Sequence, residues 1–301
     1  MAPPAVAAAL LALIVAPFWT RTGADDGELT AKKQHATFQQ WAATFQAPNP
    51  KHQAYCDNIL THRNGSASQY DQDLFLFFNL FSHWPLHGKT GVYVDSGANA
   101  AKLGSNTYFF DVCLGWAGLC IEPDTRYHAE LRAERSCVLI AECISDSNKS
   151  LAMVPPKHGA FMRVGSTSGG GGSSGTMPCD SLPSMLSRAG LPRKVDLWSL
   201  DVEGHELTVL GSVDFAQVPV GVLLVEDYSI STRLLDRLLS ERGYNKFHQL
   251  PVDTVHVRRS THRWHGASNA EEEVWYPASY NTSWATMQAW REGKDKPLLV
   301  C

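Results

Sequence analysis

GVYVDSGANAAKLGSNTYFFDVCLGWAGLCIEP, residues 91 to 123, is the stretch from which the fold can be predicted. Its first apolar run, Val92 to Val94, is typical of a buried parallel strand, and the small residues Asp95 to Asn99 favour a turn directly after it. A second apolar run, Leu119 to Ile121, predicts a neighbouring strand. The residues between them suffice for a helical crossover, since a complete βαβ unit takes about thirty residues. The stretch therefore predicts one βαβ unit of a parallel sheet.

Two residues of this unit indicate a nucleoside ligand. Gly97 allows the turn backbone to approach a ligand closely, and Glu122, at the tip of the second strand, can accept hydrogen bonds from both hydroxyls of a ribose. Either Ser105 or Thr107 can cap the intervening helix. The GxGxxG pattern that binds a pyrophosphate is missing, which argues against a dinucleotide.

Three segments together resemble the FkbM-type methyltransferases: SNTYFF at 105–110, LGW followed by GLCIEP within 114–123, and SLDVEGHE at 199–206. The resemblance covers Ser68 to Arg259. It implies an α/β fold, the Rossmann-like class I methyltransferase fold, with a mostly parallel seven-stranded sheet and helices on both faces. It also implies S-adenosyl-L-methionine as cofactor and O-methylation of a sugar or other small acceptor, although a fold does not fix the acceptor.

The resemblance also implies which residues bind the cofactor. They lie at the ends of successive predicted strands: Asp95, Gly97, Asn99, Glu122, Asp146 and Asp201. Asp146 follows the third predicted strand, Cys137 to Ile144, where class I methyltransferases often place a polar residue against the adenine. An ordinary Ser-Asp turn is the alternative for Asp146.

A second group of polar residues predicts the catalytic machinery. The strand predicted from Val195 to Val202 ends near Asp201, Glu203 and His205. A histidine beside carboxylates can act as a general base, since its pKa lies near neutrality and carboxylates stabilise the imidazolium. We predict that His205, assisted by Glu203, deprotonates or orients an acceptor hydroxyl while Asp201 faces the cofactor. Alternatively, the acidic residues favour a helix N-terminus and the histidine packs or points to solvent.

Metal binding is not expected from the sequence. Asp201 and Asp227 end neighbouring predicted strands and offer the oxygen ligands that Mg²⁺ prefers, but two carboxylates are a weak signal. The run GSTSGGGGSSG at 165–175 predicts a flexible surface loop, because it lacks the Lys-Ser or Lys-Thr ending of a phosphate-binding loop.

The turn after the first strand departs from the family. Family members usually carry Asp-Gly after this turn, whereas this chain has Asn99-Ala100-Ala101. The missing acid leaves a second hypothesis, a catalytically silent domain that binds a partner or cargo in the secretory pathway. Binding of the cofactor, and its sensitivity to Glu122→Ala, distinguishes the two hypotheses.

Length and composition suggest one large domain with extensions. A chain of 301 residues with 44% hydrophobic residues can bury a full core, and a net charge of -4 offers no basic field for nucleic acid. We predict four regions: 1–24, a signal peptide or signal anchor; 25–67, a polar spacer or stem; 68–259, the methyltransferase domain; and 260–301, a Trp-containing extension.

The N-terminus favours the secretory pathway. The apolar run Ala5 to Trp19 is shorter than the roughly twenty residues of a membrane span and fits the core of a secretory signal. Glycosylation sequons at Asn64, Asn148 and Asn281 agree with this route. We expect a protein of the ER or Golgi lumen, membrane-anchored or secreted, with a membrane tether through the apolar segment and a small-molecule or glycan acceptor.

Seven cysteines cannot all pair within one chain. Cys120 and Cys143 fall in predicted core strands, where a free cysteine usually behaves as a small apolar residue. Cys56 and Cys179 lie in loop-like sequence and are the better disulfide candidates. Their pairing cannot be read from the sequence.

Overall fold

The computed structural model describes residues 36–154, 163–164 and 175–259. Its strands are β1 (Val92–Ser96), β2 (Ala117–Ile121), β3 (Val138–Ile140), β4 (Cys143–Ile144), β5 (Lys149–Val154), β6 (Arg163–Val164), β7 (Thr176–Asp180), β8 (Val195–Leu200), β9 (Val220–Glu226), β10 (Tyr244–Gln249) and β11 (Asp253–Arg258). Its helices are α1 (36–43), α2 (Gln53–Asp57), α3 (Gln72–Leu76), α4 (Tyr108–Val112), α5 (Thr125–Glu134), α6 (Leu182–Arg188), α7 (Glu206–Ser212) and α8 (Thr232–Glu241).

The main sheet has seven strands in the order β10-β11-β9-β8-β1-β2-β3. The five strands from β9 to β3 are parallel, and β11 runs antiparallel to both β9 and β10. This arrangement confirms the predicted Rossmann-like α/β fold with a mostly parallel seven-stranded sheet. The carboxyl ends of β1, β2, β8 and β9 meet at one edge of the sheet, where open parallel sheets place their ligands.

Helices cover both faces of the sheet, and alternate residues of each strand face opposite ways. On one face Tyr93 joins a core rich in aromatic rings from α1 to α4, whereas Val94 faces an aliphatic core made with α6, α7 and α8. Both side chains are completely buried. The continuous apolar run therefore reflects a strand that is buried on two sides, as predicted.

The segment before α3 differs from the spacer that its composition favours. Phe38 of α1 and Cys56, Ile59 and Leu60 of α2 and the following turn are buried in the aromatic core. A disulfide joins Cys56 to Cys113 after α4. From residue 36 onward this segment is part of the folded domain, because its apolar residues cluster on one side of short helices that look polar on average.

The third predicted strand, Cys137 to Ile144, is divided in the structure. Val138–Ile140 joins the main sheet as β3, whereas Cys143–Ile144 pairs with β7 in a second sheet ordered β4-β7-β5-β6. The two residues between them, Ala141 and Glu142, change the direction of the chain. The apolar run therefore contributes one strand to each of two sheets. Composition alone cannot distinguish this arrangement from a single long strand.

Disulfides join six of the cysteines: Cys56–Cys113, Cys120–Cys137 and Cys143–Cys179. The interpretation of Cys120 and Cys143 as free core residues is wrong, and the choice of Cys56 and Cys179 as disulfide candidates is confirmed. Cys143 lies directly opposite Cys179 in the β4–β7 pair, with 4.4 Å between their Cα atoms. Strand register brings these sulfurs together, and register is not visible in the sequence.

Candidate active site at the carboxyl edge of the sheet

A cleft of about 610 Å³ opens at the carboxyl ends of β1, β2 and β8. It is lined by Gly97, Asn99, Ile121, Glu122, Pro123, Asp124, Tyr127, Cys143, Ile144, Asp201, Val202, Glu203 and His205. Six of the predicted site residues are therefore brought together here: Gly97, Asn99, Glu122, Asp201, Glu203 and His205. The sequence did not indicate the apolar wall, since Ile121, Pro123 and Ile144 look like ordinary core residues.

Gly97 packs against the end of β8. Its φ is +79°, a conformation that favours glycine, and a Cβ at this position would overlap the backbone carbonyl oxygen of Asp201. Its N–H donates to the carbonyl of Ile121 at 2.9 Å, which extends the β1–β2 pairing into the turn. Glycine is therefore required at position 97 because the backbone lies against the end of a neighbouring strand, as well as beside the cleft.

The unusual turn at Asn99 keeps a well-formed shape. Asn99 has a φ of +51°, which asparagine tolerates better than most residues, and its side-chain oxygen accepts the N–H of Ala100 at 2.8 Å. Ala101 is completely buried against the aromatic core. The substitution of the family's Asp-Gly is thus accommodated without opening the turn.

Glu122 links the turn to the tip of β2. Its Oε2 accepts the N–H of Asn99 at 2.7 Å, and its Oε1 accepts the N–H of Asp124 at 2.6 Å. Burial raises the pKa of Glu122 to about 7, and the two backbone hydrogen bonds only partly offset this effect. A carboxylate oxygen has a second lone pair, so both oxygens can still accept a ligand hydroxyl.

Asp95 does not line the cleft, contrary to its predicted role with the cofactor. Its carboxylate is buried on the aromatic face, where it accepts the hydroxyl of Thr107 at 2.5 Å and lies 3.6 Å from the guanidinium of Arg135. Asp95 shares this face with Tyr93, because strand side chains alternate. The Asp95 side chain thus stabilises the start of α4 through Thr107 and does not face the cleft.

Asp146 also lies outside the cleft lining, so its predicted contact with adenine is not supported. It is exposed, pairs with Lys149 and accepts the Ser145 hydroxyl at 3.0 Å. These two hydrogen bonds lower the pKa of Asp146 to about 2. The division of the predicted third strand explains the difference, because it moves Ser145 and Asp146 away from the main sheet.

His205 faces the cleft with a partner that the sequence did not indicate. Its Nε2 lies 3.2 Å from the hydroxyl oxygen of Ser145, which in turn donates to Asp146. When the Ser145 hydroxyl donates its hydrogen bond to Asp146, its oxygen accepts a hydrogen bond from the Nε2–H of His205. Nδ1 of the ring is then the unprotonated, basic nitrogen. Burial and the charge of Lys149 lower the pKa of His205, so the ring is neutral at pH 7.

Three features define a Rossmann-like protein of the methyltransferase class. They are the order of the strands in the sheet, the turn after β1 that is hydrogen-bonded to Ile121 and Glu122, and the carboxylate at the tip of β2. The chain belongs to the FkbM methyltransferase family: the model described as Methyltransferase FkbM domain matches residues 95–246. This range includes the cleft-lining residues from Gly97 to His205.

Two solved structures are similar to this chain at low identity. One is a precorrin-6y C5,15-methyltransferase from Geobacter metallireducens GS-15, with 15% identity, a TM-score of 0.32, and coverage of 57% of this chain and 81% of that one. The other is a candidate RNA methyltransferase from Pyrococcus horikoshii, with 11% identity, a TM-score of 0.33, and coverage of 76% and 100%. No curated protein matches the chain.

The contact between Gly97 and Asp201 generates a stability prediction. Gly97→Ala should lower the free energy of unfolding by about 2–5 kcal/mol, because it adds left-handed strain and a clash with backbone that cannot move aside. Gly190→Ala is the matched control: its φ is +67°, but nothing lies within 4 Å of the added Cβ, so about 1–2 kcal/mol is expected. Urea unfolding measures both values, and equal losses would contradict the packing role of Gly97.

Proposed function

We propose that this protein is an S-adenosyl-L-methionine-dependent methyltransferase that methylates a hydroxyl of a sugar or other small acceptor. The observation that carries the proposal is the position of Glu122, a buried carboxylate that faces the cleft from the tip of β2, next to the clamped turn after β1. A carboxylate in this place can accept both hydroxyls of a ribose. Family membership supports the reaction class.

The residues of the cleft fit this cofactor. Ile121, Pro123 and Ile144 offer an apolar wall for a base, while Glu122 offers acceptors for a ribose. Asp201 lines the same cleft. When bound, S-adenosylmethionine supplies a methyl group on a positively charged sulfur.

The chain must also orient the acceptor and take up its proton. Methyl transfer requires an aligned nucleophile and a group that accepts the hydroxyl proton. His205 is neutral and faces the cleft, so we assign it the proton, at Nδ1, while Ser145 and Asp146 hold the ring by its other nitrogen. Glu203 lines the same wall.

Cofactor binding tests the proposal directly. Titration of the folded protein with S-adenosylmethionine by calorimetry should show saturable binding, weakened at least tenfold in Glu122→Ala, since hydrogen bonds to a charged group contribute about 1.5–3 kcal/mol each. Glu241→Ala, at an exposed position of α8, is the matched control and should bind like the wild type. A folded protein that binds no cofactor would refute the proposal and favour the catalytically silent, partner-binding domain.

The raised pKa of Glu122 adds a pH dependence. Only the ionised carboxylate accepts both ribose hydroxyls, so affinity should increase as the pH rises through about 7 and then level off. Adenosine is the best probe because it does not ionise in this range. We expect binding about tenfold weaker at pH 6 than at pH 8, from a pKa of about 7, and no such change in Glu122→Gln. Parallel profiles for both proteins would exclude Glu122 as the cause.

Loss of the base should affect turnover more than binding. His205→Ala should reduce methyl transfer by about 10²–10⁴-fold, the usual contribution of a general base, with cofactor affinity retained. Ser145→Ala should give a smaller decrease, because Ser145 only positions the ring. Transfer of label from S-adenosylmethionine to a panel of sugars measures both. Turnover by His205→Ala at the wild-type rate would remove the histidine from the mechanism.

We also propose that the protein passes through the secretory pathway. Three disulfides support this, since structural disulfides persist in oxidising compartments. Asn64 and Asn148 of two sequons are exposed; Asn281, the apolar run from Ala5 to Trp19, the loop at 165–174 and the extension at 260–301 lie outside the described residues. Among the helices described in 36–154 and 175–259, none combines the length and apolar character that a membrane crossing needs.

Glycosylation checks the compartment. The full chain, produced in eukaryotic cells with its own N-terminus, should lose mass on enzymatic deglycosylation, and the change should shrink in Asn64→Gln and Asn148→Gln because both side chains are exposed. A chain that remains unmodified, with its cysteines reduced, would argue for a cytosolic protein.

A further inference from the structure

Three carboxylates converge beside the cleft. Asp201 follows β8, Glu226 ends β9 and Glu206 begins α7. One carboxylate oxygen from each lies within 4.8 Å of the corresponding oxygens of the other two. The three residues come from neighbouring elements of the same sheet edge, so the fold itself places them together.

The unusual feature of this cluster is its unpaired oxygen atoms. Glu206 is completely buried; its Oε1 accepts the N–H groups of Val202 and Gly204 at 3.0 and 3.1 Å, which fixes the carboxylate in place. Its Oε2 is buried without a donor from the described part of the chain, as are Oδ1 of Asp201 and Oε2 of Glu226. Buried charged oxygens without a partner are costly, so the cluster favours either a bound cation or shared protons that satisfy these oxygens.

Acidic groups of the described residues surround this cluster. Among the charged groups, those that act most strongly on Asp201 and Glu226 are acidic: Glu203, Glu206 and Asp253 act on both, Glu226 acts on Asp201, and Asp227 acts on Glu226. The pair that the sequence suggested, Asp201 with Asp227, does not form the cluster. Asp227 instead accepts hydrogen bonds from Thr232 at 3.0 Å and Gln249 at 3.1 Å.

We propose that Asp201, Glu206 and Glu226 bind a hard divalent cation, Mg²⁺ or Mn²⁺, which the sequence alone does not predict. Carboxylate oxygens are the ligands that these ions prefer, and Mg²⁺ holds them at about 2.0–2.1 Å, so that opposite ligands lie about 4 Å apart. Three oxygens within 4.8 Å of one another are near enough to share one ion after small side-chain movements. Backbone N–H groups hold Glu206 rigidly, as a ligand supported by neighbouring donors should be held.

The position of the cluster relates the cation to the acceptor. Asp201 also lines the cleft, so an ion bound by this carboxylate would lie at the cleft wall, with coordination positions left for water or substrate oxygens. This favours acceptors with two adjacent hydroxyls, such as a sugar diol. The preference for such acceptors rests on the proposed methyltransferase function, whereas cation binding itself does not.

Mn²⁺ binding to the full, chelator-treated protein tests the site without cofactor or acceptor. Electron paramagnetic resonance should show one bound Mn²⁺, displaced by Mg²⁺, with affinity at least 100-fold lower in Glu206→Gln and in Glu226→Gln. Asp227→Asn is the matched control: it removes a carboxylate beside Glu226 that already has donors, and its affinity should stay within threefold of wild type. Mg²⁺ should raise the Tm of the wild type but not of Glu206→Gln.

Two results would overturn the cation site. One is no Mn²⁺ binding by folded wild type at millimolar concentration, which would mean that the cluster holds shared protons. The other is equal affinity in wild type and both glutamine variants, which would mean that Mn²⁺ binds elsewhere. The Tm without metal shows whether each variant is folded. Intact Mn²⁺ binding in a protein that does not bind S-adenosylmethionine would refute the methyltransferase proposal and leave the cation site standing.

Discussion

The buried guanidinium of Arg135 holds the cleft together. It is completely buried, and it donates to Asp111 and Thr107 at 2.6 Å and to the Tyr93 hydroxyl at 3.0 Å. A buried charge is tolerated only when it is paired and hydrogen-bonded, so each of these partners is required. Arg135 follows α5, and its partners lie on β1, on α4 and at the residue before α4, so one side chain ties both helices to the sheet. It also donates to the carbonyl of Ala101 at 3.2 Å, within the loop that forms the cleft turn.

Because of this network, the carboxylates of Asp95 and Glu122 at the sheet edge have different roles. Asp95 faces Arg135 and Thr107, so its charge is used inside the protein. Glu122 faces the cleft and is held only by backbone N–H groups, which leaves its oxygens available to a ligand. The loop anchored by Arg135 carries Asn99, whose N–H reaches Glu122. The orientation of the proposed ribose-binding carboxylate thus depends on a charge network on the opposite face of the strand.

The sequence predicted the elements with strong local patterns and missed interactions that depend on tertiary packing. β1, β2, β8, the turn at Gly97 and the position of Glu122 follow from apolar runs and strand ends, which report burial directly, whereas the seven-stranded sheet was implied by the family resemblance. Nothing local distinguishes Arg135 from any basic residue after a helix, because its partners lie 24 to 42 positions earlier. The same holds for Glu226, which meets Glu206 only through the order of β8 and β9. Six predicted site residues lie in the cleft because the ends of strands can be predicted from the sequence. Asp95 does not, because the face of the strand on which a polar side chain lies cannot be predicted.

Hydrogen bonds between the ends of β1 and β8, called here the clamp, connect the two parts of the proposed site, Glu122 and Asp201. The N–H of Asp201 donates to the carbonyl of Ser96 at 3.0 Å, and the indole of Trp198 donates to the Ser96 hydroxyl at 2.9 Å. Gly97 then packs on the Asp201 carbonyl, so the two strand ends have a fixed separation. Glu122 lies on one side of this clamp and Asp201 on the other. A ligand that contacts both therefore meets a preformed spacing, and binding requires little reordering of the backbone. For methyl transfer, which depends on alignment more than on strong contacts, such a rigid edge is the main contribution that a fold can make.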